Sequence, residues 1–188
     1  MARLPLLRAC LLVAAILPAF AHAESAFILK TGLFELSHEN QSINGIQRAV
    51  GEDTEHAFAL AWEKRRPDGV ALGVEFLRFG SDWRSPGASG DISARALMFT
   101  MKRYQETALA IYPFLGRGIG GMYSNASGLD FDSGFGPALQ LSGGIELRSE
   151  MAGLYAEIRG LYAEAGNFWG DEVNLSGVGA FAGLSLRF

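Results

Sequence analysis

The chain has 188 residues and a formal net charge of −4, a length that fits a single domain. Its acidic balance, with no basic run, argues against a nucleic-acid partner. Its hydrophobic content of 49% argues against a disordered chain. Glycine makes up 24 of the 188 residues, about 13%, against about 7% in an average protein.

The first segment has the pattern of a secretory signal peptide. Met1–Arg8 carries two arginines, Ala9–Phe20 is an apolar core, and Ala21–Ala23 has the small-x-small pattern of a cleavage site. The pattern predicts a signal over residues 1–23 and one mature domain over 24–188. An exported chain rich in glycine and apolar residues is unlike most classes of cytosolic enzyme.

The predicted mature domain is more acidic than the whole chain and contains no cysteine. Removal of Arg3 and Arg8 leaves 14 basic and 20 acidic residues, a net charge of −6. Cys10 is the only cysteine, and it lies in the predicted signal. The domain is therefore expected to fold without a disulfide.

Downstream of the signal, apolar residues recur with a period of two, which is the period of a β-strand. The last segment is the clearest case, because Val178, Leu184 and Phe188 fall on one face with three further apolar residues. Eight segments of this kind follow one another, at residues 27–36, 56–65, 70–79, 92–103, 109–123, 138–148, 154–163 and 178–188.

The links between these segments alternate in length. The long links are 37–55, 80–91 and 124–135, the short ones are 66–69, 104–107 and 149–152, and 166–172 is intermediate. Eight strands of about ten residues with such links are typical of a transmembrane barrel, with long links outside the cell and short turns in the periplasm. The predicted fold is all-β, an eight-stranded antiparallel up-and-down transmembrane β-barrel.

The polar face of the strands carries charges in mid-strand, at Lys30, Glu75, Glu146, Glu157 and Arg159. A basic side chain facing lipid near the midplane costs roughly 2–4 kcal/mol. These five residues are therefore predicted inside the barrel, where opposite charges must pair. A soluble lipocalin-type or sandwich protein would bury the other face instead, and periodicity does not separate the two. Aromatic residues near strand ends, such as Trp62 and Tyr162, favour the membrane arrangement.

Two segments carry a resemblance to a known family. Residues 111–120, IYPFLGRGIG, resemble the "YPYxGxGxG" strand of the small outer-membrane β-barrel superfamily, and 70–78 fits the same pattern. That superfamily includes the OmpA transmembrane domain, OmpX, OmpW and the opacity proteins. The closing segment 178–188 ends in an aromatic residue and resembles the signal read by the outer-membrane assembly machinery, which assigns that role to Phe188.

The resemblance implies export through the periplasm to the outer membrane of a Gram-negative cell. It also implies contact with outer-membrane lipid and lipopolysaccharide, and roles that range from structural to adhesive to small-solute passage, as in porin-like barrels.

Charge differs between the two predicted ends. The long links and the intermediate link together hold ten acidic residues against Arg48 and Arg84, with an acidic cluster at Glu52, Asp53 and Glu55. The other end holds seven bases, namely Lys64, Arg65, Arg66, Lys102, Arg103, Arg148 and Arg187. The acidic links are either solvated or share divalent cations with lipopolysaccharide phosphates.

Asn44-Gly45 predicts a hairpin tip within the first long link. Such a hairpin would extend beyond the membrane and expose a strand edge. An exposed edge can pair with a strand of a partner, which suggests adhesion to a host or other cell-surface ligand.

Two motifs raise other functions. Met122–Ala126 is similar to the "HxSNA" stretch of the PagL-type lipid A deacylases, with Ser124 in the position of the nucleophile. Methionine stands where that family has histidine, and a serine needs a base to become nucleophilic. Gly116, Gly118 and Gly121 match G-x-G-x-x-G, but no helix is predicted to follow them.

The sequence therefore predicts a non-enzymatic outer-membrane barrel with a structural or surface-interaction role through its extracellular loops. It predicts no cofactor and no metal. A narrow channel for small solutes is the alternative, and a lipid A-modifying hydrolase is the second alternative.

Overall fold

The computed structural model describes residues 24–37, 40–43, 46–50, 54–85, 88–107, 109–127, 133–166 and 172–188. The predicted signal peptide, residues 1–23, lies outside the described residues. The strands in chain order are β1 (Glu24–Leu36), β2 (Asn40–Ile43), β3 (Ile46–Val50), β4 (Glu55–Arg65), β5 (Val70–Ser85), β6 (Ala88–Tyr104), β7 (Ile111–Ala126), β8 (Ser133–Arg148), β9 (Ala152–Gly166), β10 (Glu172–Asn174) and β11 (Gly177–Arg187).

Eight of the described strands close into an antiparallel ring. Each barrel strand pairs with the next one along the chain in the order β1, β4, β5, β6, β7, β8, β9 and β11. The ring closes because β1 also pairs with β11, from Ala26 opposite Arg187 to Leu36 opposite Gly177. The predicted eight-stranded antiparallel barrel is confirmed. Within the described residues, no helix is both long and apolar enough to cross a bilayer.

The register of the strands sets the width of the barrel. A path through directly opposed residues leaves β1 at Ser25 and passes Lys64, Leu72, Met101, Arg117, Leu141, Gly160 and Val178. It returns to β1 at Glu35, ten residues above its start. With a rise of about 3.3 Å per residue and a strand spacing of about 4.8 Å, this stagger gives a tilt of about 41° and a backbone radius of about 8 Å. Such an interior is filled by side chains.

One end of the barrel, here called the turn end, holds Ser25, Phe188 and the short turns. Ser25 and Phe188 exchange two backbone hydrogen bonds of 3.0 Å. The turn after β4 is closed by Gly69 N–H, which donates to Arg66 O at 3.1 Å. Gly69 has a φ of 81°, a conformation that favours glycine, and a Cβ there would lie 2.5 Å from Tyr104 O.

The opposite end, here called the long-link end, carries more strand than the sequence predicts. The region 80–91 is predicted as a link, but β5 and β6 continue through it and pair up to Ser85 opposite Ala88. The prediction of a link there is wrong. The region is rich in Gly, Ser and Asp and therefore shows no hydrophobic alternation. Its backbone nevertheless continues the antiparallel pairing of β5 with β6.

The first long link contributes a small hairpin to this end. Strands β2 and β3 pair from Asn40 opposite Ala49 to Ile43 opposite Ile46. The predicted tip, 44–45, lies outside the described residues. Strand β3 then pairs with β5 through Ala49 opposite Arg84 and Val50 opposite Trp83. The strands β2, β3, β5 and β6 therefore form a continuous sheet that projects past the barrel wall.

The outer wall of the barrel is apolar. Leu97, Phe99, Ile119, Leu141 and Ile158 face outward, and each is more than half exposed. Arg117 also faces outward, between Met101 and Leu141. Its long side chain can carry the guanidinium toward an interface. An apolar wall around a charged interior is the arrangement of a barrel surrounded by lipid, and it opposes the soluble alternative.

Glycines on the inner face leave space for large side chains. A Cβ on Gly144 would overlap Ala156 O and lie 2.6 Å from the ring of Phe114, and one on Gly177 would overlap Glu35 O and lie 2.7 Å from the ring of Phe34. The high glycine content therefore has a packing role in a barrel this narrow.

Candidate functional site

The middle of the barrel interior holds a closed ring of four charges, here called the central cluster: Lys30, Glu75, Glu157 and Arg159. Lys30 Nζ lies 2.6 Å from Glu75 Oε2 and 3.1 Å from Glu157 Oε2. Arg159 pairs with the same two carboxylates, with Nε 2.9 Å from Glu157 Oε1. All four side chains have no exposed surface, and their formal charges cancel.

Aromatic side chains complete the environment of the central cluster. The Tyr155 hydroxyl donates to Glu157 Oε2 at 3.0 Å. The ring of Phe181 lies beneath both cations, with its centroid 4.9 Å from Arg159 Cζ and 5.9 Å from Lys30 Nζ. Each carboxylate thus has two cations, and each cation has two carboxylates and a ring, which is the pairing that a buried ion requires.

A second group of charges lies between the central cluster and the turn end. This turn-side cluster consists of Glu63, Arg65, Lys102, Glu146 and Arg148. Glu63 forms ion pairs with Lys102 at 3.1 Å and with Arg65 at 2.6 Å. Glu146 forms ion pairs with Arg65 at 2.8 Å and with Arg148 at 2.9 Å. Three bases and two acids give the cluster a formal charge of +1.

Hydroxyl groups and rings support the turn-side cluster. The Tyr104 hydroxyl donates to Glu63 Oε1 at 2.8 Å, and Ser185 Oγ donates to Glu146 Oε1. The Arg148 guanidinium stacks on Tyr112, 3.6 Å from the ring centroid. A cavity of about 450 Å³ opens beside these groups at the turn end. Arg65 and Arg148 of the cluster line this cavity, together with Tyr104 and Tyr112.

The structure places all five predicted interior charges inside the barrel and brings four of them together. Glu146 is the fifth, and it belongs to the turn-side cluster. The sequence interpretation missed Glu63 and assigned Arg65 and Lys102 to the turn end, but both bases are buried.

A spacing that recurs in the sequence, Glu-x-Arg, indicates most of these partners. Glu63-x-Arg65, Glu146-x-Arg148 and Glu157-x-Arg159 are each spaced by two residues, which puts both charges on the same face of a strand. In all three pairs the carboxylate contacts the arginine two residues later.

The half of the interior toward the long-link end is apolar. The buried residues Phe34, Leu77, Phe79, Met98 and Met122 belong to one continuous cluster. The rings of Phe34 and Phe79 stack with centroids 4.4 Å apart. In the described part of the chain, the buried side chains of this apolar plug and of the two ionic clusters together fill the barrel interior.

The acidic cluster of the first long link lies only partly in the described structure. Glu55 is the first residue of β4 and is half-buried, and Glu52 and Asp53 lie outside the described residues. Nearby, Asp82 of β5 lies directly opposite Asp91 of β6, and both side chains are exposed. Among the described residues of the long and intermediate links, four acids, Glu55, Asp82, Asp91 and Glu172, stand against Arg48 and Arg84.

The residues of the hydrolase alternative do not form a catalytic group in the described structure. Ser124 faces inward on β7 and is 1% exposed, and its Oγ has no hydrogen-bond partner among the described residues. Met122, on the same face, is part of the apolar plug. His56 faces outward on β4, three strands away around the ring. His38 lies outside the described residues.

Phe188 closes the chain at the turn end. Its ring faces outward, is 71% exposed and stacks on Phe27 at a centroid distance of 5.6 Å. The exposed ring of Phe188 therefore lies at the edge of the apolar wall.

Comparison with known proteins identifies the fold. No protein-family model matches the chain, and no curated protein sequence matches it. The crystal structure of Neisserial surface protein A (NspA) aligns with a TM-score of 0.63 at 14% identity, over 88% of this chain and 97% of that chain. The outer membrane protein OprG from Pseudomonas aeruginosa aligns with a TM-score of 0.60 at 13% identity, over 88% of this chain and 96% of that chain.

A third similar structure is Ail, the attachment invasion locus protein of Yersinia pestis, in complex with the heparin analogue sucrose octasulfate. It aligns with a TM-score of 0.56 at 14% identity, over 88% of this chain and 99% of that chain. These similarities show the fold of the small outer-membrane β-barrels, in agreement with the resemblance found in the sequence.

Proposed function

We propose that this chain is a non-conducting, non-enzymatic barrel of the outer membrane that acts through its long-link end, as a surface-interaction protein. The observation that carries the proposal is the contrast along the axis. The interior is filled by two ionic clusters and an apolar plug, whereas β5 and β6 continue beyond the plug as a hairpin. A barrel that is filled inside and extended outside is suited to contact at its outer end.

The projecting sheet supplies the framework of the proposed surface. Strand β3 adds to β5, and β2 adds to β3, so four strands present their backbone beyond the barrel. Strand β10 pairs with β9 and lies beside β2, which closes the rim on that side. A sheet held to the barrel through continuous strands is more rigid than a loop, and rigidity lowers the entropic cost of binding.

Charge selects the kind of partner. Ail is similar in fold and was solved with a heparin analogue, which raises a sulfated glycan as a ligand. The long links and the intermediate link of this chain together hold ten acidic residues against two basic ones. Like charge opposes such a ligand, so the expected partner is a basic protein surface or one bridged by divalent cations.

A binding experiment with purified protein in lipid nanodiscs tests this proposal. The probes are heparin and protamine, a polycationic peptide. The wild-type protein should retain protamine in a salt-dependent manner and should not retain heparin. The variant Glu52→Gln/Asp53→Asn/Glu55→Gln should retain several-fold less protamine.

A matched variant at the turn end controls for net charge. Asp68→Asn/Glu106→Gln/Glu150→Gln removes the same number of charges from exposed positions and should bind protamine as the wild type does. Retention of heparin by the wild type, or equal losses in the two variants, would contradict an acidic recognition surface at the long-link end.

We also propose that Phe188 is part of the assembly signal. Deletion of Phe188 should lower the fraction of the chain that reaches the outer membrane in folded form, measured as the band that shifts on boiling. Phe27→Ala removes the stacking partner and leaves the terminus, so it should assemble normally. Equal assembly of the Phe188 deletion and the wild type would refute this role.

A further inference from the structure

The outward-facing residues of the β5–β6 pair change from apolar to charged at one position. Going up this face, the opposed pairs are Val74 with Phe99, then Phe76 with Leu97, then Arg78 with Arg95. Above them come Gly80 with Ser93 and Asp82 with Asp91. The arginine pair thus lies directly above the last apolar pair of the wall.

The two arginines form an unfavourable arrangement as they stand. Arg78 and Arg95 are directly opposite on antiparallel strands, and both side chains are exposed. Like charges in that position destabilise a sheet. Neither forms an ion pair with any residue in the described part of the chain. Two adjacent, uncompensated guanidinium groups constitute a site for an anion.

Aromatic side chains flank the pair on both sides. Phe58 of β4 is directly opposite Arg78, and Tyr123 of β7 is directly opposite Arg95, and both rings face outward. Aromatic rings of this kind mark the interface between hydrocarbon and headgroups. The arginine pair therefore lies at headgroup depth.

The length of the apolar run below the pair agrees with this depth. On the same face of β6, Arg103 and Arg95 bracket Met101, Phe99 and Leu97. Eight residues of a tilted strand span about 20 Å along the barrel axis, close to the height of about 25 Å expected for an apolar band. Arg103 marks the edge at the turn end, and the arginine pair marks the edge at the long-link end.

We propose that Arg78 and Arg95 together bind a phosphate group of a lipid in the outer leaflet, namely the phosphomonoester of lipid A. This inference rests on the proposed function, which places the long-link end at the cell surface. A phosphomonoester carries more charge than a phosphodiester and offers three oxygens, so it can accept paired hydrogen bonds from two guanidinium groups at once. The acyl chains of the same lipid lie against the apolar pairs below.

Native mass spectrometry of the protein in phosphatidylcholine nanodiscs that contain a minor fraction of lipid A tests the site. The wild-type barrel should retain lipid A, and Arg78→Gln/Arg95→Gln should retain at least tenfold less, since each charge-assisted hydrogen bond lost weakens binding roughly tenfold. Lipid A from which the phosphates have been removed should bind the wild type as weakly as the intact lipid binds the double variant.

Arg103→Gln is the matched control, because it removes an exposed arginine from the same face of the same strand at the other edge. It should retain lipid A as the wild type does. Equal retention by the double variant and the wild type would overturn the proposal, as would an equal loss in Arg103→Gln. Retention of phosphatidylglycerol at the same level, or displacement of lipid A by inorganic phosphate, would overturn the assignment to this lipid.

Folding is checked for every variant by the shift of its band on boiling. If the double variant does not fold, the single variants Arg78→Gln and Arg95→Gln are measured instead. Each should retain roughly tenfold less lipid A than the wild type. Protamine retention, measured on the same samples, separates the two proposals. Loss of lipid A binding with protamine retention intact leaves the proposed function standing, and the reverse result leaves the lipid site standing.

Discussion

The two halves of the barrel interior are both filled by side chains, but those side chains differ in chemistry. The half toward the turn end is ionic, with nine charged side chains in two clusters that are joined by aromatic rings. The half toward the long-link end is apolar, with Phe34, Leu77, Phe79, Met98 and Met122 in one cluster. Both halves are filled because a backbone radius of about 8 Å leaves room only for side chains.

The ionic and the apolar side chains depend in different ways on the rest of the fold. Every charge of the two clusters except Arg148 has an ion-pair partner on another strand, as when Lys30 of β1 contacts Glu75 of β5 and Glu157 of β9. The ionic half therefore ties distant strands together with defined geometry. The apolar half needs only volume, so it tolerates exchange of one apolar side chain for another of similar size.

The largest loss of stability is expected in the central cluster. Arg159→Ala leaves Glu75 and Glu157 with Lys30 as their remaining cation, and breaking a buried ion pair in this way costs about 3–5 kcal/mol. Urea unfolding of the refolded barrel measures the loss. Arg103→Ala, an exposed arginine on the outer wall, should stay within about 0.5 kcal/mol of wild type. Equal unfolding midpoints for the two variants would contradict a stabilising role of the central cluster.

A slightly smaller loss is expected in the apolar half. Leu77→Ala creates a cavity at a position with no exposed surface and should cost about 2–5 kcal/mol. Leu77→Met keeps the volume and should cost less than about 1.5 kcal/mol. The same unfolding assay sharpens the comparison, because a conservative exchange is tolerated here. A large loss for Leu77→Met would show that the plug also requires a defined geometry.

A single hydroxyl group in the turn-side cluster should have a moderate effect. Tyr104→Phe keeps the ring and removes the hydroxyl, which donates to Glu63 at 2.8 Å and accepts a longer bond of 3.4 Å from Arg65. A hydrogen bond to a charged group contributes about 1.5–3 kcal/mol. Tyr112→Phe, which loses a hydroxyl without a described carboxylate partner, is the control. If the two variants unfold alike, the Tyr104 hydroxyl does not stabilise the cluster.

The smallest effect is expected at the turn, outside both halves. Gly69→Ala forces a side chain into the left-handed region and toward Tyr104 O, at a cost of about 1–2 kcal/mol. Gly160→Ala adds the same methyl group where no atom lies within 4 Å, and should not destabilise the barrel. A greater loss for Gly160→Ala would mean that the outer wall is packed more tightly there than the backbone suggests.

The sequence predicts the barrel wall well because the wall repeats one signal. The strand predicted at 154–163 is observed at Ala152–Gly166, and the one at 56–65 is observed at Glu55–Arg65. Alternation fails where both faces meet water or protein. The strand predicted at 138–148 begins five residues earlier, at Ser133. Its first five residues, Ser-Gly-Phe-Gly-Pro, show no hydrophobic alternation, so the sequence pattern does not mark them as a strand.

The partners inside the barrel are less predictable than its faces. Period two assigns Glu63 and Arg65 to the inner face, but it does not show that Arg65 reaches Glu146 on β8. That contact depends on the stagger of the strands around the ring, which is a property of the whole closed sheet. The pairing of β3 with β5 is likewise a long-range feature without a local signal.

Single-channel recording tests the central claim of a filled interior most directly. The refolded wild-type protein, shown by its band shift on boiling to be folded, is inserted into planar lipid bilayers. Two ionic clusters and an apolar plug predict a quiet baseline without unitary current steps at moderate voltage. Reproducible unitary steps from the wild-type protein would contradict a filled interior and would favour the alternative of a narrow channel for small solutes.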